Sequence, residues 1–269
     1  MAWKILGLGY LIILIFIIAV VFWFLFKFKG GLKSRARSIL GNIGKETRQL
    51  SSVGRSLRTT KRKISQTDPV EDPATTQVTL EDTKKELAGK KSQFIRLREE
   101  TEEDVNNLNL AWQETTQTIQ DIINRKTDLD NLPESPQRSF AINVVIKNYQ
   151  KLERLKELLT ANKTQGLALI LQIQTKIDNF LNFSLENATV ACDALEQQMQ
   201  EGQQKSTDTI TENMDALIAD EAAIEELEQQ RLTLQQQFNK NITQITNTTK
   251  EIADVIDTAK AATPTQAAA

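Results

Sequence analysis

A seven-residue repeat of apolar side chains runs through the last two thirds of this 269-residue chain and restricts that part to long packed helices. A repeat of seven keeps one apolar stripe on a single side of an α-helix, and the stripe needs another helix to cover it. The repeat therefore predicts an all-α fold. The residues that we expect at the centre of the helix packing are Leu80, Leu87, Phe94, Leu108, Ile122, Leu129, Leu152, Leu159, Ile173, Phe180, Ile210, Leu217, Ile224, Phe238, Ile245 and Ile252.

Proline and glycine divide the repeat into three predicted helices. Pro133 and Pro136 end the first helix, because proline lacks an amide donor and clashes with the preceding turn. Ser135 is placed to cap the second helix with Pro136 in its first turn, and Gly202 ends that helix. The boundaries that follow are 80–132, 135–202 and 206–260, with a disordered tail over 261–269.

Short breaks between the helices favour neighbours that reverse direction, so we expect an elongated antiparallel helical bundle or coiled coil over residues 80–260. Thr101, Thr115 and Arg231 stand at positions of the core type and could fix the register of the helices. The same stripes could also pair between chains, and the sequence leaves that alternative open.

The N-terminal region has a different character. Every residue from Ile5 to Phe26 is apolar, glycine or tyrosine. At about 1.5 Å per residue this run is long enough to cross the ~30 Å hydrocarbon core of a bilayer as one helix. The sequence therefore predicts a single transmembrane anchor over residues 1–28.

Basic residues follow the predicted anchor. Between residues 27 and 63 they are opposed by one acidic residue, Glu46, whereas the rest of the chain is acidic. Because Lys and Arg beside a span resist translocation, we expect a single-pass protein with a short outer N-terminus and a cytoplasmic body. The basic residues, which we assign to membrane or anionic-lipid contact, are Lys27, Lys29, Lys33, Arg35, Arg37, Lys45, Arg48, Arg55, Arg58, Lys61, Arg62 and Lys63.

Residues 29–64 are predicted to form an amphipathic juxtamembrane helix that lies on the membrane surface, and 65–79 a linker. The apolar stripe of the helix is Ala36, Leu40, Ile43, Leu50, Val53, Leu57 and Ile64. Three uses of the basic charge stay open: setting the topology, gathering anionic lipids, or docking on an acidic surface such as the chain's own body.

The chemistry of the side chains points away from catalysis. The chain contains no histidine, the commonest general base and metal ligand, and its one cysteine, Cys192, is expected to pack as a small apolar residue. The acidic runs at 99–104 and 221–228 are predicted to be solvated helix faces. We therefore expect no enzyme activity, no cofactor, no metal site and no small-molecule substrate, and the lack of aromatic residues among the basic ones argues against nucleic acid.

The leading functional hypothesis is a membrane-anchored coiled-coil scaffold or tether. It would present its helices to a cytoplasmic protein partner or to other copies of itself, swivelling on the linker. The first alternative is a membrane-shaping or lipid-organising protein that uses the basic amphipathic helix. The second is a regulatory or stator-like subunit of a larger membrane complex.

Overall fold

The computed structural model describes residues 56–69, 71–201 and 207–262, and within them the chain is a bundle of long packed helices. Residues 56–65 are helical and are called α1. The other helices are α2 (Pro73–Asn124), the short α3 (Lys126–Asp130), α4 (Pro136–Asn179), α5 (Leu185–Glu201) and α6 (Asp208–Ala262). A π-helical turn, Phe180–Ser184, joins α4 directly to α5.

The predicted transmembrane anchor, the first 27 residues of the predicted basic helix and residues 263–269 of the predicted tail lie outside the described residues. Among the helices that are described, none is both long enough and apolar enough to cross a membrane.

Paired contacts define the direction of each helix. Residue numbers on α2 and on its contact partners in α6 increase together, from the pair Lys90–Glu221 to the pair Arg125–Asp257. Helices α2 and α6 are therefore parallel. On the α4–α5 segment the residue numbers of the partners decrease instead, from the pair Lys84–Glu196 to the pair Arg98–Asp178. The α4–α5 segment therefore runs antiparallel to both α2 and α6, which confirms the all-α helical bundle.

The start of α2 differs from the predicted linker of 65–79. Helix α2 begins at Pro73, and the Asp72 side chain caps it by accepting from the backbone N of Thr75 at 3.1 Å. Sequence reasoning missed this early start because the core positions near the beginning of α2 include Thr76 and Thr83 rather than apolar residues only. Both are buried, and each hydroxyl donates to the carbonyl oxygen four residues earlier, so no polar group is left unpaired.

The cap predicted for the second long helix is confirmed. The Ser135 hydroxyl accepts from the backbone N of Arg138 at 3.1 Å, with Pro136 as the first helical residue. Beyond it, Gly166 lies inside α4 without interrupting the helix. A side-chain carbon at this position would come 3.1 Å from Leu108 Cδ2, so the glycine allows α2 and α4 to approach closely.

The π turn follows from a one-residue insertion in the apolar repeat. Ile173, Ile177 and Phe180 point into the core at spacings of four and three, but the next core residue is Leu185, five positions later. A turn of π-helix absorbs such an extra residue. It thereby keeps both Phe180 and Leu185 inside the bundle, where the Phe180 ring stacks on Phe94 with centroids 4.0 Å apart.

Helix α1 is part of the bundle, which corrects the prediction that its apolar stripe lies on a membrane surface. Leu57 and Ile64 have no exposed surface and belong to the same core cluster as Leu80, Leu87 and Met214. The physical reason is that the seven-residue spacing of Leu57 and Ile64 matches that of Leu80 and Leu87, so the apolar stripe of α1 packs on the stripe of the bundle.

Ile64→Ala should lower the free energy of unfolding by about 2–5 kcal/mol, because it removes a fully buried aliphatic side chain and leaves a cavity. Lys63→Ala, at the exposed neighbouring position, is the matched control and should change it by less than about 0.5 kcal/mol. Urea unfolding of the full chain in detergent, followed by circular dichroism, measures both. Equal effects of the two substitutions would contradict the assignment of α1 to the bundle.

Candidate functional site

The most distinctive cluster of chemical groups is a set of charged side chains buried between α2 and α6, which we call the ionic seam. Its members are Lys90 and Asp104 on α2 and Glu221, Glu228 and Arg231 on α6. All stand at heptad positions that face the bundle, where apolar residues are usual.

Lys90 and Glu221 form the first part of the seam. Lys90 Nζ lies 3.1 Å from Glu221 Oε1, and the two side chains are only 4% and 3% exposed. Burial, opposed by the charge of Glu221, lowers the pKa of Lys90. Burial likewise raises the pKa of Glu221 against the attraction of Lys90. Both ions are therefore held in a setting that disfavours charge, and each depends on its partner.

Arg231 is the centre of the second part. Its Nε donates to Glu228 Oε2 at 2.9 Å, its Nη2 lies 2.7 Å from the same oxygen, and its Nη1 contacts the carboxylate of Asp104. The Arg231 and Glu228 side chains are 5% and 1% exposed. Burial is the main cause that raises the pKa of Glu228 and that of Asp104, while the guanidinium opposes it in both.

One oxygen of each buried glutamate, Glu221 Oε2 and Glu228 Oε1, has no hydrogen-bond partner. The described part of the chain contains no group of three or more Cys, Asp or Glu side chains arranged to hold a metal ion. What the seam can do chemically is pair charges across two parallel helices, because a buried ion without its counter-ion is strongly unfavourable. The arrangement thus fixes which heptad of α6 lies beside which heptad of α2.

Sequence reasoning missed the seam. It predicted that the acidic runs at 99–104 and 221–228 are solvated, which is wrong for Asp104, Glu221 and Glu228. The missed signal is their spacing: Glu221 and Glu228 follow Met214 at intervals of seven, in the second core position of the α6 repeat. The sequence predicts that Arg231 stands at a core-type position, and its burial confirms that placement.

The predicted core residues are all buried except Leu108, which is half-buried. Thr101 and Thr115 are buried as well, and their hydroxyls donate to backbone carbonyls of their own helix. Cys192 is packed in the core, and burial raises the pKa of its thiol to about 11. This confirms that Cys192 packs as a small apolar residue, since a thiol that stays protonated at neutral pH is a poor nucleophile.

Of the basic residues assigned to lipid contact, four lie in the described part of the chain. Lys61 Nζ contacts Asp215 on α6 at 2.5 Å, and Arg58, Arg62 and Lys63 are exposed on the other side of α1. The remaining eight precede the first described residue.

No protein-family model, no characterised protein and no solved structure matches this chain. The assignment of function therefore rests on the geometry of the bundle and on the sequence pattern.

Lys90→Met should lower the free energy of unfolding by about 3–5 kcal/mol, because it leaves the Glu221 carboxylate buried without a cation. The double variant Lys90→Met/Glu221→Leu should recover most of this loss. Arg96→Ala, which breaks the exposed Arg96–Glu100 pair, is the control and should cost less than about 0.5 kcal/mol. A double variant no more stable than Lys90→Met would show that the two charges are not coupled.

The raised pKa of Glu228 gives the seam a pH dependence. Because the folded state holds this proton more tightly than the unfolded state, the contribution of Glu228 is fully present below its ordinary pKa of 4.5 and is lost as pH rises through the higher folded pKa. Wild type should therefore gain stability relative to Glu228→Gln as pH falls from 7.5 toward 4.5. Urea unfolding of both proteins across this range tests the sign, and a difference that shrinks on acidification would contradict it.

Proposed function

We propose that this chain is a non-enzymatic, membrane-anchored helical scaffold that presents a binding surface on a long packed bundle. The observation that carries the proposal is the length over which the helices stay paired. Contacts between α6 and its neighbours extend from Asp215, bound by Lys61, to Lys260, which contacts Asp128 at 2.6 Å. At about 1.5 Å per residue, these two positions on α6 are roughly 68 Å apart.

In the proposed scaffold α1 belongs to the bundle, in contrast to a tether that swivels on a long linker. Leu57 and Ile64 are held in the core, so α1 moves with the bundle. The connection to α2 is hydrogen-bonded as well: the backbone N of Glu71 donates to Asp68 Oδ1 at 3.1 Å, and the backbone N of Asp72 to the Asp68 carbonyl at 2.9 Å. These contacts favour a scaffold in which α1 is packed on the bundle over one in which the bundle swivels on a linker at 65–79.

Exposed apolar side chains on the outer helix surface support a protein-binding role. Phe140, Leu171 and Phe183 are each 64% exposed and Val190 is 59% exposed, all on the α4–α5 segment. Phe183 and Val190 are only seven residues apart, and exposed apolar groups that lie together favour association with a protein partner or with a second copy. The same surface would serve a subunit role in a larger membrane complex.

A lipid-organising role is the second candidate, and the outer side of α1 favours it. Arg58, Arg62 and Lys63 are exposed there, while the inner side of α1 is occupied by the bundle. Each basic residue close to an anionic bilayer contributes about 1 kcal/mol to binding.

The anchor is tested by placing charge in the middle of the predicted span. Ile15→Arg/Ile18→Arg should move the full chain from the alkali-resistant membrane fraction to the soluble fraction, because each arginine costs about 2.5–3.5 kcal/mol at the centre of a span. Ile15→Leu/Ile18→Leu is the matched control and should stay in the membrane. Retention of the arginine variant would contradict the anchor and with it the proposed function.

Vesicles separate the two candidate functions. Under the scaffold proposal, the full chain inserts into vesicles with or without anionic lipid and leaves their shape unchanged. Under the lipid-organising alternative, anionic vesicles deform or cluster, and Arg58→Gln/Arg62→Gln/Lys63→Gln abolishes the effect. Electron microscopy of both vesicle types with both proteins reads out the difference.

A further inference from the structure

The outer face of the α4–α5 segment carries most of the exposed apolar side chains of the bundle. Of the ten large apolar side chains that stay exposed within the described residues, seven lie on this segment. Five of them mark its length and are each more than half exposed, namely Phe140, Ile146, Leu171, Phe183 and Val190. The segment therefore has apolar groups in water near both of its ends and in its middle.

The same segment carries opposite charges in its two halves. Residues 136–163 contain six basic and two acidic side chains, whereas α5 contains four acidic side chains and no basic one. Lys147 is exposed in the basic half and Glu186 in the acidic half. One cation from α2, Lys84, is shared by two of the acids of α5, so the acidic half keeps a negative excess.

We propose that the outer face of α4–α5 binds the same face of a second copy in antiparallel orientation. An interface that uses one surface patch on both copies must be complementary to itself. Antiparallel pairing meets this condition, because it lays the basic half of each copy against the acidic half of the other. Parallel pairing would place like charges opposite each other, which opposes association.

The exposed apolar side chains define the alignment of the two copies. Ile146 and Val190 each lie 22 residues from position 168. A two-fold axis at that level places Ile146 opposite the partner's Val190. It also brings Leu171, which is within one turn of the axis, beside the partner's Leu171. Apolar contacts then form at both ends of the interface and at its centre.

Charge and area agree with this alignment. Lys147 is level with a position between the partner's Glu186 and the partner's Asp193, and Lys151 stands within one residue of the level of the partner's Glu186. The strip from residue 146 to residue 190 is about 66 Å long and about one helix diameter wide. Each copy would contribute roughly 700 Å², close to the ~800 Å² per partner of a standard interface.

An anionic bilayer fits this face less well than a second copy, because it would attract the basic half and repel α5. Helix α1 packs with Leu80 and Leu87 at the level of α5, so antiparallel pairing holds the two copies of α1 at opposite ends of the dimer. The inference names the partner of the proposed scaffold, and its biological use rests on that proposed function. The pairing itself can be measured whether or not the chain has an anchor.

Single cysteines test both the partner and the orientation in the full chain, with Cys192→Ala as the background and detergent micelles in excess over protein. Leu171→Cys should be cross-linked into a dimer by a short bismaleimide, because residue 171 lies close to the axis. Ile146→Cys alone should give no dimer, since its two copies are about 66 Å apart. Chains with Ile146→Cys co-expressed with chains carrying Val190→Cys should be cross-linked to each other, as read on a denaturing gel.

Charge reversal tests what sets the orientation. Lys147→Glu/Lys151→Glu should raise the dissociation constant of the dimer about tenfold, as expected for the loss of two ion pairs at the edge of an interface. Adding Glu186→Lys should recover part of this loss. Lys85→Glu/Lys91→Glu, at exposed positions on α2, is the matched control and should leave the constant unchanged. Sedimentation velocity in detergent measures all four proteins.

A chain that stays monomeric, with no cross-link through Leu171→Cys, would overturn the proposal. Cross-linking of Ile146→Cys to itself would also overturn it, because it indicates a parallel pair. An equal loss of affinity in the two lysine double variants would contradict the pairing of opposite charges. None of these outcomes bears on the anchor, which is tested separately by the membrane fractionation of the arginine variant.

Discussion

The register between α2 and α6 depends on the buried ionic seam. Apolar residues repeat every seven positions on both helices, so a slip by one whole heptad would still match apolar side chains with one another. The charges repeat only in part. The one-heptad slip that brings Glu228 level with Lys90 also moves Arg231 from Asp104 to the level of Leu97, and a buried ion that loses a partner costs several kcal/mol. The seam thus selects one alignment among several that packing alone would accept.

Most of the bundle could be predicted from the sequence because its dominant cause, the burial of an apolar stripe, is visible as a repeat. The helix break near Pro133 and the cap at Ser135 follow from local backbone chemistry. The seam could not be found in the same way. An acidic run is usually solvated. The buried acids Glu221 and Glu228 are distinguished only by their heptad position and by their cations, which are Lys90 on another helix, 131 residues away, and Arg231 on the same helix.

The other misses have a common origin in residues that occupy core positions without being apolar. Thr76 and Thr83 occupy core positions near the start of α2, where their hydroxyls hydrogen-bond to backbone carbonyls of the same chain segment. The repeat therefore starts before its first leucine. The extra residue between Phe180 and Leu185 shifts the repeat by one, and the π turn restores its phase. In both cases the backbone resolves a mismatch that a search for regular apolar spacing does not detect.

The position of α1 limits how the basic segment can act on a membrane. An apolar side chain cannot be buried in the bundle and inserted into lipid at the same time, and Leu57 and Ile64 are in the core. Any membrane contact by this part of the segment must therefore be electrostatic, through Arg58, Arg62 and Lys63. Such contact is screened over a Debye length of about 8 Å at physiological ionic strength, so it weakens as salt is raised, whereas insertion of an apolar stripe would not.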